Sequence, residues 1–265
     1  MIRSVLWDVD GTLAETECDG HLVAFNQAFE ALDIPWRWSE ERYGELLAIA
    51  GGRERLLHDM QSQPDAPADL HERESLAGRV HRAKNEFYAR IVGSAGLPLR
   101  EGVRELFEDC DRAGLLMGIV TTTSRRNVEA LLGAHLGKDW ESKFATVVCA
   151  EEAQAKKPDP QAYLIALETL RLRSHEAIAM EDAPAGAAAA QAAGVPVIVT
   201  RSHYFPAVTV RGALAIGPSL GRCTGWRPAA AARSTRIGLD QITRWYAQSL
   251  WAPSHNSPGP WIVSR

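Results

Sequence analysis

No run of about 18 or more apolar residues occurs in this sequence, so no segment is expected to cross a membrane as a helix. Cysteine is scarce. Cys18, Cys110, Cys149 and Cys223 are widely scattered and lack zinc-ligand spacing, as suits a reducing compartment. Cys149 lies in an apolar run and reads as a small buried hydrophobe. Neither sign of charge dominates: 29 Lys and Arg face 33 Asp and Glu, a formal net charge of −4, which leaves no basic footprint for nucleic acid. The first apolar strand begins too early to leave room for a signal peptide, so a cytoplasmic location is expected. What remains is a 265-residue chain, 46% hydrophobic and 23% charged, suited to one large domain or a core with an inserted smaller one.

The chain is organised around Asp8-Val9-Asp10-Gly11-Thr12-Leu13, directly after the apolar run Val5-Leu6-Trp7. That run reads as a buried strand. Acids two positions apart at a strand end point the same way, because side chains alternate with period two. Gly11 permits a sharp turn immediately afterwards. Two acids without a cation are costly to pair, so such a pair recruits a metal or performs proton chemistry. The plainer alternative is a strand end with an Asp-Gly turn.

From about residue 17 to 95 the pattern is helical. Leu22, Phe25, Ala28, Phe29 and Leu32 line one helix face, and Pro35 ends that helix. Charged helical segments follow at about 39–49, 53–61 and 70–92, with breaks at Gly51-Gly52 and between Pro64 and Pro67. An inserted helical cap at 17–95 is expected; an ordinary helical layer is the alternative. Beyond Gly96 the chain alternates: helix 101–113, strand 115–120, helix 125–136, strand 145–149, helix 159–170, strand 177–180, helix 185–193 and strand 195–200. Such alternation of buried strands with helices predicts an α/β, doubly wound, Rossmann-like parallel sheet built from 1–16 and 96–220. Ligands of such sheets sit at the carboxyl ends of the strands, where every polar motif falls. After about Leu214 the signal fades: Pro228 to Arg233 reads as a linker, 237–250 as one amphipathic helix, and 252–265 as a poorly ordered tail, so that 221–265 forms a terminal appendage.

The polar groups at those strand ends are Thr121-Thr122-Thr123-Ser124, Lys156-Lys157-Pro158-Asp159-Pro160, and Glu181-Asp182-Ala183-Pro184-Ala185-Gly186. Taken singly, the hydroxyls can cap the next helix and the lysines can be solvated surface charges. Taken together and in order with Asp8 and Asp10, they resemble the four motifs of the haloacid dehalogenase superfamily. The resemblance implies that Asp8 is a nucleophile forming an aspartyl-phosphate and Asp10 the general acid/base. It also implies that Thr121, helped by Thr122, and Lys157 hold the phosphoryl group, while Lys156 lies on the surface. Mg²⁺ would be bound by Asp8, Asp182 and the backbone carbonyl of Asp10; Glu181 would contribute or orient Lys157. Ala183 stands where the family usually has Ser, which removes one hydroxyl.

The cap narrows this further. DVDGTLAETE from Asp8, HLVAFNQAF from His21, Gly51-Gly52-Arg53-Glu54-Arg55 and VHRAK from Val80 are similar to the CbbY-type subfamily of sugar-bisphosphate phosphatases, over roughly residues 1–205. Members of that subfamily convert xylulose-1,5-bisphosphate, a dead-end inhibitor of the Calvin-cycle enzyme Rubisco, to xylulose 5-phosphate. The resemblance then implies a monomer acting on a phosphorylated sugar, with no nucleic acid or membrane partner. Glu17, His21, Gly51, Gly52, Arg53, Arg55, His81 and Lys84 would contact substrate, the basic ones holding the phosphate that is not transferred, with Arg82 solvated. Two departures are Cys18-Asp19-Gly20, a longer link before the helix, and Gln161, where many members carry Asp. A β-phosphoglucomutase-like mutase, a phosphoglycolate phosphatase and an inactive metal-binding regulator remain open alternatives.

Overall fold

The computed structural model describes residues 1–231 and 235–251. The expected tail at 252–265 and the last residues of the expected linker lie outside the described residues. The first strand, β1 (Ser4–Trp7), is wholly buried, as an apolar run in a parallel sheet must be. It is flanked by β2 (Leu116–Val120) and β4 (Ala177–Glu181), and the six-stranded sheet runs in the order β3-β2-β1-β4-β5-β6. The others are β3 (Thr146–Val148), β5 (Val197–Thr200) and β6 (Ala215–Gly217), and all pairings are parallel. Every parallel pair needs a crossover. The helices α5 (Val103–Ala113), α6 (Arg125–Leu136), α7 (Gln161–Leu170) and α8 (Pro184–Ala192) supply the crossovers between the strands from β1 to β5. The strand β6 follows the fade-out of sequence signal after Leu214, because three residues are too few to show a period.

Between β1 and the rest of the sheet lie a short π-helix at Glu17–Leu22 and four α-helices: α1 (Val23–Ala31), α2 (Glu40–Leu46), α3 (Gly52–Asp59) and α4 (Leu70–Ala95). These helices bury a core of their own around Phe25, Phe29, Trp38, Tyr43 and Leu56. The sheet has two further cores, one per face. One holds Trp7 edge-on to Phe107 at 4.9 Å, and the other packs the small side chains of Ala187, Ala189 and Ala190 under α8. Helix α4 starts on a capped N-terminus, Asp69 accepting from Glu72 N, and runs beside α1 to reach α6. Helix α9 (Leu239–Trp251) returns to the sheet, where Trp245 meets Trp226 and Tyr246 donates to His175 O. None of the described helices is long and apolar enough to cross a membrane.

One side chain ties the loop after β1 to the far side of the sheet. Arg100, only 9% exposed at its side chain, pairs with Glu15 and donates to the carbonyls of Gly11, Thr200, Arg201 and Pro218. A guanidinium suits this task, because its five donors are fixed in one plane. Removing it strands several buried carbonyls, so Arg100→Met should lose about 2–4 kcal/mol of stability in urea unfolding. A loss under about 1 kcal/mol would mean that water replaces these bonds at little cost.

Candidate active site

The carboxyl ends of β1, β2 and β4 converge on one ammonium group. Lys157 Nζ donates to Asp8 Oδ1 at 2.7 Å, Glu181 Oε1 at 2.7 Å and the Val120 carbonyl at 2.8 Å, so all three of its protons are used. Burial opposes its charge, yet the Asp8 and Glu181 carboxylates hold it above the usual lysine range. Glu181 also accepts from Tyr163 OH at 2.5 Å and is pressed against α8. A Cβ on Gly186 would overlap its carboxylate, which is why glycine stands in the first turn of that helix. Asp182 accepts from Ser202 Oγ at 2.6 Å and Thr12 Oγ1 at 3.4 Å. Gly11, at φ 82°, brings the β1 turn so close that a Cβ there would strike Asp182.

Asp8, Glu181 and Asp182 thus crowd three buried carboxylates together, their ligand atoms within 4.8 Å of one another. Burial pushes Asp8 up to about 7, Lys157 opposing and Glu181 adding to the push. Burial and then the neighbouring Asp8 carboxylate raise Asp182 well above the ordinary range. A single lysine leaves this cluster short of positive charge, and the donors are hard oxygens. The set therefore fits a small divalent cation such as Mg²⁺. Asp10 has a different environment. Its Oδ1 accepts from Thr16 Oγ1 at 2.5 Å and from His21 Nε2–H at 2.9 Å, with the His21 ring stacked on Tyr88 at 4.2 Å. Burial alone would raise it, but His21, Thr16 and Lys84 together hold Asp10 well below the usual carboxylate range.

The helical segment closes the same cavity from above. Glu17, His21, Gly51, Gly52, Arg55, His81 and Lys84 all line it, together with Thr122 and Thr123 of the sheet side. Arg55 is anchored by the Ile49 carbonyl at 2.9 Å, Tyr43 OH at 3.0 Å and Glu17 at 3.5 Å. Lys84 is buried, its ammonium 5.2 Å from the Phe25 ring centre and 5.3 Å from that of Tyr88. Burial brings it down to about 8, with the more distant Asp10 and Glu17 carboxylates opposing. Burial and then Lys84 push His81 down to about 4.

Three expectations are corrected. Thr121 does not line the cavity: its side chain is buried, and its hydroxyl accepts from Thr123 N. Thr122, the next residue, takes the place at the cavity. Arg53 is exposed and away from the cavity, because residues two apart on a helix lie on different faces and Arg55 occupies the inner one. Lys156 is no surface charge; it lines the cavity and donates to Glu54 of α3 at 2.7 Å. Arg82 is exposed, as expected.

Two residues of the site escaped the sequence reading. Ser202 and Tyr163 come from distant segments and carry no motif. Ser124, at the cap position of α6, makes no capping bond; its buried hydroxyl has no partner and faces the cavity. Gln161 accepts from Ala155 N at 2.6 Å and so braces the loop that carries Lys157. The close fit at Gly186 is testable: Gly186→Ala should displace Glu181, and with it Lys157, lowering kcat by about 100-fold while the protein stays folded by circular dichroism. Unchanged kcat would show that Glu181 does not position Lys157.

The comparisons with known proteins agree with this geometry. Residues 2–194 match the family model described as haloacid dehalogenase-like hydrolase. The chain is 42% identical over 221 residues to the plasmid-encoded protein CbbY of Cupriavidus necator, covering 83% of this chain and 86% of that one. The crystal structure of a CbbY variant from Rhodobacter sphaeroides in complex with xylulose-1,5-bisphosphate superposes with a TM-score of 0.80 at 34% identity, covering 91% of this chain and 99% of that one. A β-phosphoglucomutase from Clostridium difficile, 17% identical, shares the fold, with a TM-score of 0.70 over 95% of this chain and 100% of that one. The chain belongs to the haloacid dehalogenase-like hydrolase family and is a phosphatase within it.

Proposed function

We propose that this phosphatase hydrolyses a sugar bisphosphate, xylulose-1,5-bisphosphate foremost, with Mg²⁺ as cofactor and residues 17–95 acting as a cap over the substrate. The observation that carries the substrate class is Lys84: a buried cation in the cavity, which Asp10 and Glu17 act on only from beyond ion-pair distance, is left to meet an anion. Lys157 serves one phosphate at the sheet; Lys84, with Arg55, His81 and the free hydroxyl of Ser124, offers a second anion site under the cap. The similarity to a protein solved with xylulose-1,5-bisphosphate supports the same choice.

In this mechanism Asp8, steered by Lys157, attacks phosphorus in line and forms the aspartyl-phosphate. Asp8, Asp182 and the Asp10 carbonyl would hold Mg²⁺, which supplies charge neutralisation for the anionic phosphoryl group. Asp10, ionised at rest, takes up a proton as the substrate enters, gives it to the leaving sugar oxygen and later deprotonates the attacking water. Its Oδ1 is occupied by Thr16 and His21, so Oδ2 is the atom available for proton transfer. Glu181 orients Lys157 and spends its Oε1 on Lys157 and Tyr163. Glu17 acts through Arg55 and Tyr43.

Phosphate release from xylulose-1,5-bisphosphate, phosphoglycolate and glucose 1-phosphate tests the reading. Turnover should favour the bisphosphate, stop with EDTA, return with Mg²⁺ better than with Ca²⁺, and fall below about a thousandth in Asp8→Asn. Preference for phosphoglycolate, or conversion of glucose 1-phosphate to the 6-phosphate, would sink the substrate assignment.

The low lysine pKa adds a pH signature. Lys84 is charged below about 8 and neutral above, so the second phosphate loses its partner as pH rises. Above pH 8, kcat/KM for the bisphosphate should fall and level off about tenfold lower, and in Lys84→Met KM should be about tenfold higher with that limb flattened. Hydrolysis of a small aryl phosphate, having no second phosphate, should keep its profile in both. Equal effects on both substrates would assign Lys84 to the structure of the cap.

A further inference from the structure

Away from the cavity, three side chains of different chemistry meet where the helical segment joins the sheet. Cys18 lies in the π-helix at the root of that segment, Glu40 opens α2, and His203 lies in the loop after β5. One ligand atom from each, the Cys18 thiol sulfur, a Glu40 carboxylate oxygen and a His203 ring nitrogen, falls within 4.8 Å of the other two. His203 Nε2 already touches Glu40 Oε1 at 2.5 Å. The loop is held in place, since His203 N donates to Glu15 Oε2 at 3.1 Å, and the next residue, Tyr204, packs against Tyr43 at 5.8 Å. The side chains of Glu40 and His203 are 57% and 48% exposed, so an ion can reach them from solvent. The acids Glu15, Asp19 and Glu40 make the surroundings negative.

We propose that Cys18, Glu40 and His203 form a second divalent-metal site, selective for Zn²⁺-like ions over Mg²⁺. Thiolate, imidazole and carboxylate together are a zinc donor set, and three protein ligands leave a position for water. Mg²⁺, which prefers oxygen ligands and keeps its own waters, gains nothing from sulfur. On binding, the Cys18 S–H bond breaks as the metal–sulfur bond forms, and the proton leaves to solvent. His203 binds through the Nε2 lone pair with its proton on Nδ1, so its contact with Glu40 is replaced by a shared ion.

Two of the ligands belong to the helical segment and the third to the sheet side. An ion held by all three clasps one to the other and hinders opening. This consequence rests on the proposed role of residues 17–95 as a moving cap; the binding itself does not.

The full-length protein, kept in saturating Mg²⁺, is titrated with Co²⁺ as a spectroscopic substitute for Zn²⁺. One equivalent should bind with a near-ultraviolet thiolate-to-cobalt charge-transfer band. That band should vanish in Cys18→Ser, and affinity should fall at least about tenfold in His203→Ala and in Glu40→Gln. Without added Co²⁺ or Zn²⁺, all three variants should turn over within about twofold of wild type, since none contacts substrate. One equivalent of Zn²⁺ should slow wild-type turnover and leave Cys18→Ser unaffected. No band in the wild type, or a band that survives Cys18→Ser, overturns the site. A Cys18-dependent band without inhibition upholds the site and overturns the clasp.

Discussion

Everything in the sheet-side site depends on one buried ammonium. Lys157 is bonded to an acid on β1, an acid on β4 and the last carbonyl of β2, so it pins three strand ends at one point. A charge this deep is tolerable only when fully paired, and removing one partner from such a group costs about 3–5 kcal/mol. The neighbours explain themselves from that constraint. Tyr163 holds Glu181, Gly186 gives Glu181 room, and Gln161 braces the loop behind the lysine. The remaining carboxylates, Asp8 and Asp182, are left with more negative charge than one lysine balances, which is the electrostatic case for a cation there.

The helical segment contributes charge of the opposite sign. Its own apolar core lets it exist as a packed unit, while its inner face brings Arg55, His81 and Lys84 into the cavity. Segment and sheet meet through an apolar seam, where Tyr88 and Val92 of α4 join the core under the sheet, and through polar pairs: Lys156 with Glu54, His203 with Glu40, Asn127 with Asn85. The polar pairs are partly hydrated and each contributes little. Against the cost of burial, the bond to Lys156 holds Glu54 below its ordinary range.

The order of elements was legible from sequence because burial repeats locally. A parallel strand covered on both faces must be an apolar run, and an amphipathic helix must show its stripe, so β1 to β5 and α1 to α9 lie close to where periodicity puts them. The strand β6 was not legible, since its three residues pair with β5 only after the chain has folded back. The main chemical groups were legible too. Asp8, Asp10, Glu181 and Asp182 sit at strand ends and Lys157 in the loop after β3, in a fixed order, and the ends of adjacent parallel strands must gather on one edge.

By itself, then, the sequence determined the alternating architecture and the acids and lysine at its carboxyl edge, because hydrophobic period and residue type are properties of short stretches. The tertiary structure alone decided which hydroxyl faces the cavity, Thr122 instead of Thr121, because that depends on how the chain leaves β2 alongside β3. It decided that Lys156 meets Glu54 and that Arg53 points away, because both depend on how α3 lies over the sheet. It also supplied Ser202 to Asp182, where Ala183 offers no hydroxyl of its own, and set Cys18 beside Glu40 and His203. Those groups are far apart in the chain, and no local pattern can encode a meeting that only long-range packing brings about.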